Sequence, residues 1–357
     1  MARILAAVAP YAGHALPMSG VVAALRDRGH EVVVYAADPW RSRFERIGAS
    51  TLAWGAVAPP EVPATGMDDL LDREIERIAE PQSRELAAAH AERPFDLVVV
   101  DVIALGAARF ARAAGLPWAT VSPIPLVLAG RHAEALYSPW LVIGAGARSL
   151  ETPRPGLDDR FRLVGRLAPA DAFDDDAATP SWWPDARLAG LPIVLVTQGT
   201  VSTDPRELIV PAIEALGGRA LTVLATTSGA RLPSGLAEPR NVWLADRIPF
   251  GRVLPFASAM VTNGGWGAAL EALEHGVPLV VAGADLDKPE GAARVARAGA
   301  GVDLRTGRPT AGAIAAGVHS VLAMPRYRIR AREVAEELRS LGGAARAAEL
   351  VEGLLPR

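Results

Sequence analysis

The 357-residue chain contains no cysteine, so disulfides, thiolate catalysis and cysteine metal sites are all excluded. Lysine is almost as scarce. Lys288 is the only one, although arginine is abundant, so any side-chain ammonium with a function must be Lys288. Net charge is small, −3, and gives no electrostatic reason to expect nucleic acid as a partner. No apolar run approaches the roughly 18–20 residues that span a bilayer. The opening "ARILAAVAP" resembles the core of a signal peptide, but "HALPMSGVVAALRDRGHEVVVYAA" continues it with helix and strand patterns instead of a cleavage site. A soluble cytoplasmic protein without stable membrane insertion is expected.

What the chain does have is 50% hydrophobic residues, enough for sizeable cores, and a length that suits two domains. Short apolar runs at residues 4–9, 30–36, 97–100 and 117–121 alternate with segments of helical period, such as 19–28 and 104–114. Strands reading as unbroken Val/Ile/Leu, separated by helices, indicate parallel sheets covered on both faces. The pattern lapses between about residues 156 and 191, where "DAFDDDAATPSWWPDARLAGLP" has the composition of a linker. It resumes with strand candidates at 193–197, 221–226, 242–245, 260–262, 279–282 and 301–304, and residues 311–354 read as mostly helical. The expected fold is α/β, with two Rossmann-like, doubly wound parallel-sheet domains facing a central cleft. The expected boundaries are 1–180, a linker at 181–192, and 193–340. Residues 341–357 would form a C-terminal helix able to cross back to the first domain.

Open parallel sheets bind ligands beyond the carboxyl ends of their strands, where strands one and four meet. In the first half this rule brings His14, in "YAGHALP", opposite Asp101, at the end of "LVVVD". In the second it brings Thr200, in "TQGT", opposite Asn263-Gly264-Gly265. The two glycines admit a ligand to the backbone, and the helix that follows presents unpaired N–H groups to a phosphate. GxGxxG and GxxxxGK[ST] are both absent, which disfavours a dinucleotide fold or a P-loop. Two structural alternatives stand beside these readings: Asp101 can cap the next helix, and His14, with Pro17 close behind, can simply mark a helix start. His30 and His275 sit beside glycines and read as packing or turn residues, and His132 and His319 offer nothing distinctive. Asp174-Asp175-Asp176 has the form of a metal-binding DxD, but it lies in the low-complexity stretch and reads as solvated linker.

These residues carry a resemblance to a family. The sequence is similar to the inverting, nucleotide-sugar-dependent glycosyltransferases of the two-Rossmann (GT-B) class, and most similar to bacterial enzymes that glycosylate natural products. "GHALP" resembles the segment carrying the family's catalytic base, which maps onto His14. "FDLVVVDVIALGAARFARAAGLPWATVSP" resembles the segment whose aspartate orients that base, mapping onto Asp101. "VTQGT" maps a phosphate contact onto Thr200. "DRIPFGRVLPFASAMVTNGGWGAALEAL" resembles the nucleotide-binding signature. It implies that Arg247 stacks on the base, Ile248 bonds it through the backbone, and Asn263, Gly264, Gly265, Trp266, Gly267 and Ala268 surround the diphosphate. Glu271 would hold the ribose. "DLDKPEGAARV" maps sugar contacts onto Asp287 and Lys288.

Three positions depart from the usual pattern. Asn263 replaces a histidine, Arg247 replaces an aromatic, and Lys288 replaces a glutamine, so it offers donors only. The resemblance implies transfer of a sugar from a TDP- or UDP-linked donor to a hydroxyl of a hydrophobic small-molecule acceptor. It implies no cofactor and no metal, and a homodimer is one option for assembly. "PLVLAGRHAEALYSPWLVIGAGA" either lines an acceptor pocket or belongs to the core. A nucleotide-sugar epimerase of the same architecture and a non-catalytic helper protein are the alternatives, because fold alone does not decide function.

Overall fold

In the computed structural model, the structure describes residues 1–55, 66–126, 130–152, 159–169, 179–199, 202–237 and 239–356. Asp174–Asp176 and Thr200 lie outside them. The chain forms two compact units, each built on one wholly parallel sheet.

Unit 1 comprises Met1–Ala147, Pro153–Pro169 and Ser340–Arg357. Its strands are β1 (Arg3–Ala7), β2 (Glu31–Ala36), β3 (Ser50–Ala53), β4 (Leu97–Asp101), β5 (Trp118–Ser122), β6 (Leu141–Gly144) and β7 (Phe161–Leu163), in the order β3-β2-β1-β4-β5-β6-β7. Unit 2 comprises Arg148–Thr152 and Ala170–Arg339. Its strands are β8 (Ile193–Thr197), β9 (Thr222–Thr226), β10 (Val242–Ala245), β11 (Ala257–Thr262), β12 (Leu279–Val281) and β13 (Gly301–Asp303), in the order β10-β9-β8-β11-β12-β13. In each sheet the first strand lies against the fourth, and their registers set the sites. Ala7 pairs with Val100, one residue short of Asp101. Thr197 pairs with Thr262, one residue short of Asn263.

The central strands are buried on both faces, which is why they read as unbroken apolar runs. One face of sheet 1 packs Leu5, Val33, Val98 and Val100 against Leu86 and Phe110. One face of sheet 2 packs Val194, Val196, Val261 and Val280 against Ile213, Ile314 and Val318. Each such side chain, fully buried, contributes about 1.5–3 kcal/mol.

Several features differ from the sequence expectation. The first helix starts at Ala12, not at residue 19, so Pro17 lies inside it. Pro17 lies past the first turn, so it lacks the N–H that would bond the Gly13 carbonyl, yet the helix continues through it to Asp27. β3, β6 and β7 were not anticipated. β6 falls within the stretch read as pocket lining or core, and it is fully buried in the sheet, with a helix (Gly130–Leu136) before it. The linker at 181–192 holds a helix, Trp183–Leu188, that buries Trp183 and Ala186.

The segment Arg148–Thr152 belongs to unit 2, and charge anchors it there. Arg294 is fully buried and bonds Glu151 at 2.6 Å and Glu290 at 2.9 Å, while the Thr152 hydroxyl donates to Glu290 at 3.1 Å. Removing the cation leaves the Glu151 carboxylate, only 8% exposed, beside a second one. Breaking a buried pair by deleting one partner typically costs about 3–5 kcal/mol. Arg294→Met should therefore lower unit 2 stability by that amount in a denaturant melt. An unchanged midpoint would show that the network contributes nothing.

The last helix, Gly343–Glu352, packs in unit 1 against helix Ala12–Asp27. The Gly343 N–H donates to Val164 O at 2.6 Å. Glu352 accepts from Arg28 Nε at 2.9 Å and from His30 Nε2 at 3.1 Å, and the other His30 nitrogen accepts the Ala2 N–H. His30 is thus a packing residue.

Candidate active site

Beyond β1 the chain turns directly into the helix that begins at Ala12, which places His14 in its first turn. The Trp40 indole N–H donates to Pro10 O at 3.0 Å and ties down the strand exit. Asp101, the last residue of β4, is completely buried. The His14 Nδ1–H donates to both of its carboxylate oxygens, at 2.9 and 3.0 Å. The Ile103 N–H donates to one of the same oxygens at 3.1 Å. Such donors offset part of the cost of burying a carboxyl group. With Nδ1 carrying the proton, the lone pair of the neutral ring sits on Nε2, the arrangement a general base requires.

Tyr11 was not anticipated. Its ring meets the imidazole edge-on, with centroids 6.0 Å apart. Burial, followed by the charge of Glu74, pushes its phenol upward in pKa, so it stays protonated.

The second cluster lies in unit 2, where β8 and β11 end side by side. Gly264 takes φ +89°, and a Cβ there would meet Val281 at 3.1 Å and Lys288 at 3.3 Å, so the turn needs glycine. Gly265 faces open space instead, since an added Cβ would find only Asn263 Oδ1, at 3.7 Å. Helix Trp266–Glu274 follows with Gly265 as its N-cap and no side chain capping it. Its first closed bond runs from Ala269 N to Gly265 O, so Gly267 and Ala268 present N–H groups without intrahelical acceptors. This is the arrangement that suits a phosphate.

The family pattern implied that Asn263 bonds the diphosphate, but the structure gives its amide other work. Nδ2 donates to Gln198 O and to Ser202 Oγ, the latter at 3.3 Å, and Oδ1 accepts the Gly265 N–H at 3.3 Å. The two donors tie the end of β11 to the loop after β8, and the acceptor closes the Asn263–Gly265 turn. Gln198 Nε2 braces that loop through Ser202 O and Asp204 O, at 2.9 and 3.0 Å.

Ile248 and Trp266 are buried, Arg247 is exposed, and Gly267 and Ala268 are partly exposed. Glu271 is 1% exposed, so its carboxylate faces the unit 2 interior rather than open solvent. Asp287 is partly exposed at the N-cap of helix Lys288–Arg297. Lys288 is 7% exposed, and its carboxylate partner is Asp285, at 2.8 Å, a residue the motif did not single out. Among the described residues no group of three His, Asp or Glu could hold a metal ion, and no helix is long and apolar enough to cross a membrane.

Residues 215–354 match the family model described as erythromycin biosynthesis protein CIII-like, C-terminal domain. The chain is 31% identical to 4'-demethylrebeccamycin synthase of Lentzea aerocolonigenes, over 99% of this chain and 100% of that protein. It is also 31% identical to elloramycin glycosyltransferase ElmGT of Streptomyces olivaceus, over 96% of this chain and 95% of that one. Among solved structures, spinosyn rhamnosyltransferase SpnG complexed with thymidine diphosphate aligns with a TM-score of 0.76. That match covers 99% of this chain and 100% of the other at 18% identity, a likeness of fold. Full-length likeness to the rebeccamycin and elloramycin proteins, on two parallel-sheet α/β domains, shows that the chain belongs to the GT-B glycosyltransferases of natural-product biosynthesis.

Proposed function

We propose that the enzyme moves a sugar from a thymidine- or uridine-diphospho donor to a hydroxyl of a hydrophobic small-molecule acceptor, with inversion at the anomeric carbon. The observation that carries this reading is the buried His14–Asp101 pair, which favours the ring tautomer with its proton on Nδ1 and its lone pair on Nε2. The acceptor oxygen attacks the anomeric carbon as Nε2 takes its proton. The bond to the diphosphate oxygen breaks on the opposite side, so one displacement inverts the centre. Asp101 holds the ring and stabilises the imidazolium that forms.

The helix-end amides of Gly267 and Ala268 bear on the diphosphate, where charge develops. Thr200 is assigned the same role from its motif. Arg247, Ile248 and Glu271 are assigned to the nucleoside and Asp287 to the sugar. No step is given to a metal ion. Thymidine as the base has the support of the SpnG complex.

The test incubates the enzyme with thymidine- and uridine-diphospho sugars, with and without an apolar hydroxylated acceptor. Product glycoside and its anomeric configuration are read by mass spectrometry and NMR. Retained configuration would overturn the single displacement. A new nucleotide sugar formed without acceptor would identify an epimerase instead.

A further inference from the structure

Lys288 is the only lysine of the chain, and the start of its buried side chain packs against the Asn-Gly-Gly turn. Two glycines make this approach possible. A Cβ at Gly264 would lie 3.3 Å from Lys288 Cβ, and one at Gly283 would lie 2.8 Å from the same atom and 2.9 Å from Asn263 O. The ammonium bonds Asp285 Oδ1 at 2.8 Å and reaches Ser202 Oγ at 3.5 Å. Ser202 Oγ in turn accepts from Asn263 Nδ2 at 3.3 Å. An ammonium has three donors, and these contacts occupy two. Asp285 is 47% exposed, so part of its charge is screened by water, whereas the Lys288 side chain is only 8% exposed. Asn263, meanwhile, spends both of its N–H groups inside the fold. Lys288 therefore brings a formal positive charge close to the turn, through Ser202.

Resting on the nucleotide-sugar reading above, we propose that Lys288 takes up the charge of the departing nucleoside diphosphate, its third N–H donating to a β-phosphate oxygen, and that it does not read the sugar hydroxyls. During transfer the acceptor oxygen bonds to the anomeric carbon and gives its proton to His14. The bond from that carbon to the β-phosphate oxygen breaks, and its electron pair leaves with the diphosphate. The diphosphate gains one negative charge, and the ammonium meets it without changing its own protonation. Before the diphosphate arrives, the ammonium is held by Ser202 and by Asp285, whose carboxylate competes with the phosphate for it.

Calorimetry with thymidine and uridine diphosphates and the matching monophosphates tests this. Lys288→Gln should weaken binding of the preferred diphosphate by roughly 10–100-fold, change monophosphate binding little, and lower kcat by about 10²–10³-fold. Asp285→Asn removes the competing carboxylate, so diphosphate affinity should hold or rise. A structural salt bridge predicts the opposite, with both variants losing affinity alike, and that result would overturn the proposal. So would unchanged diphosphate affinity in Lys288→Gln, which leaves the nucleotide reading standing. If the wild-type enzyme binds neither diphosphate, the nucleotide reading itself fails.

Discussion

His14→Ala should lower turnover by about 10²–10⁴-fold, the usual range for general-base help, while nucleoside diphosphate affinity stays within roughly twofold of wild type. The two effects separate because His14 lies in unit 1 and the residues proposed to hold the diphosphate lie in unit 2. The expected loss follows from the tautomer. Asp101 accepts Nδ1–H, which puts the lone pair of the neutral ring on Nε2. Asp101→Asn sharpens the test, because its oxygen can still accept the Ile103 N–H while its NH₂ can donate to Nδ1. That would move the ring proton to Nε2, the wrong nitrogen. Turnover should fall here too, with stability nearly kept. Full activity of either variant towards a hydroxyl acceptor would remove the base assignment.

Gly265→Val is the second large effect. Most glycine substitutions near a ligand are hard to interpret because the fold is damaged as well. Gly264 is such a case, with its φ of +89° and crowded neighbours. Gly265 is not: its φ is −55°, and an added Cβ meets nothing closer than 3.7 Å. Valine there should fold, and its methyl groups would occupy the space in front of the Gly267 and Ala268 amides. Diphosphate affinity should drop at least about 100-fold, close to 2.7 kcal/mol, with little change in the melting temperature. Undiminished affinity by calorimetry would move the phosphate site elsewhere.

How much of this was legible in the sequence depended on burial. β1, β4, β8 and β11 announce themselves because they are buried almost throughout and most of their positions are apolar. β3 (STLA) and β7 (FRL) are short edge strands without a fully buried residue, so no pattern marks them. β6 is buried, but Ser138-Pro139-Trp140 before it and glycines after it disguise it as a loop. The positions of His14 and Asp101 followed from topology alone, since adjacent strand ends in a parallel sheet bring their next residues together. The internal bonding of Asn263 did not, because it depends on how the loop after β8 folds back through Gln198 and Ser202. Asp285 was hidden for a similar reason. Leu286 takes φ +53°, and that turn returns Asp285 to the lysine three residues ahead.

Unit 1 is assembled from three stretches of chain, and its final helix arrives only after the whole of unit 2 has been written. A chimera joined by a single cut between the halves would give one parent's first domain the other parent's tail. Arg28 and His30 would then need a foreign residue in place of Glu352, and Val164 a foreign amide. Exchanging the first domain among relatives calls for a two-junction cassette that carries residues 340–357 along.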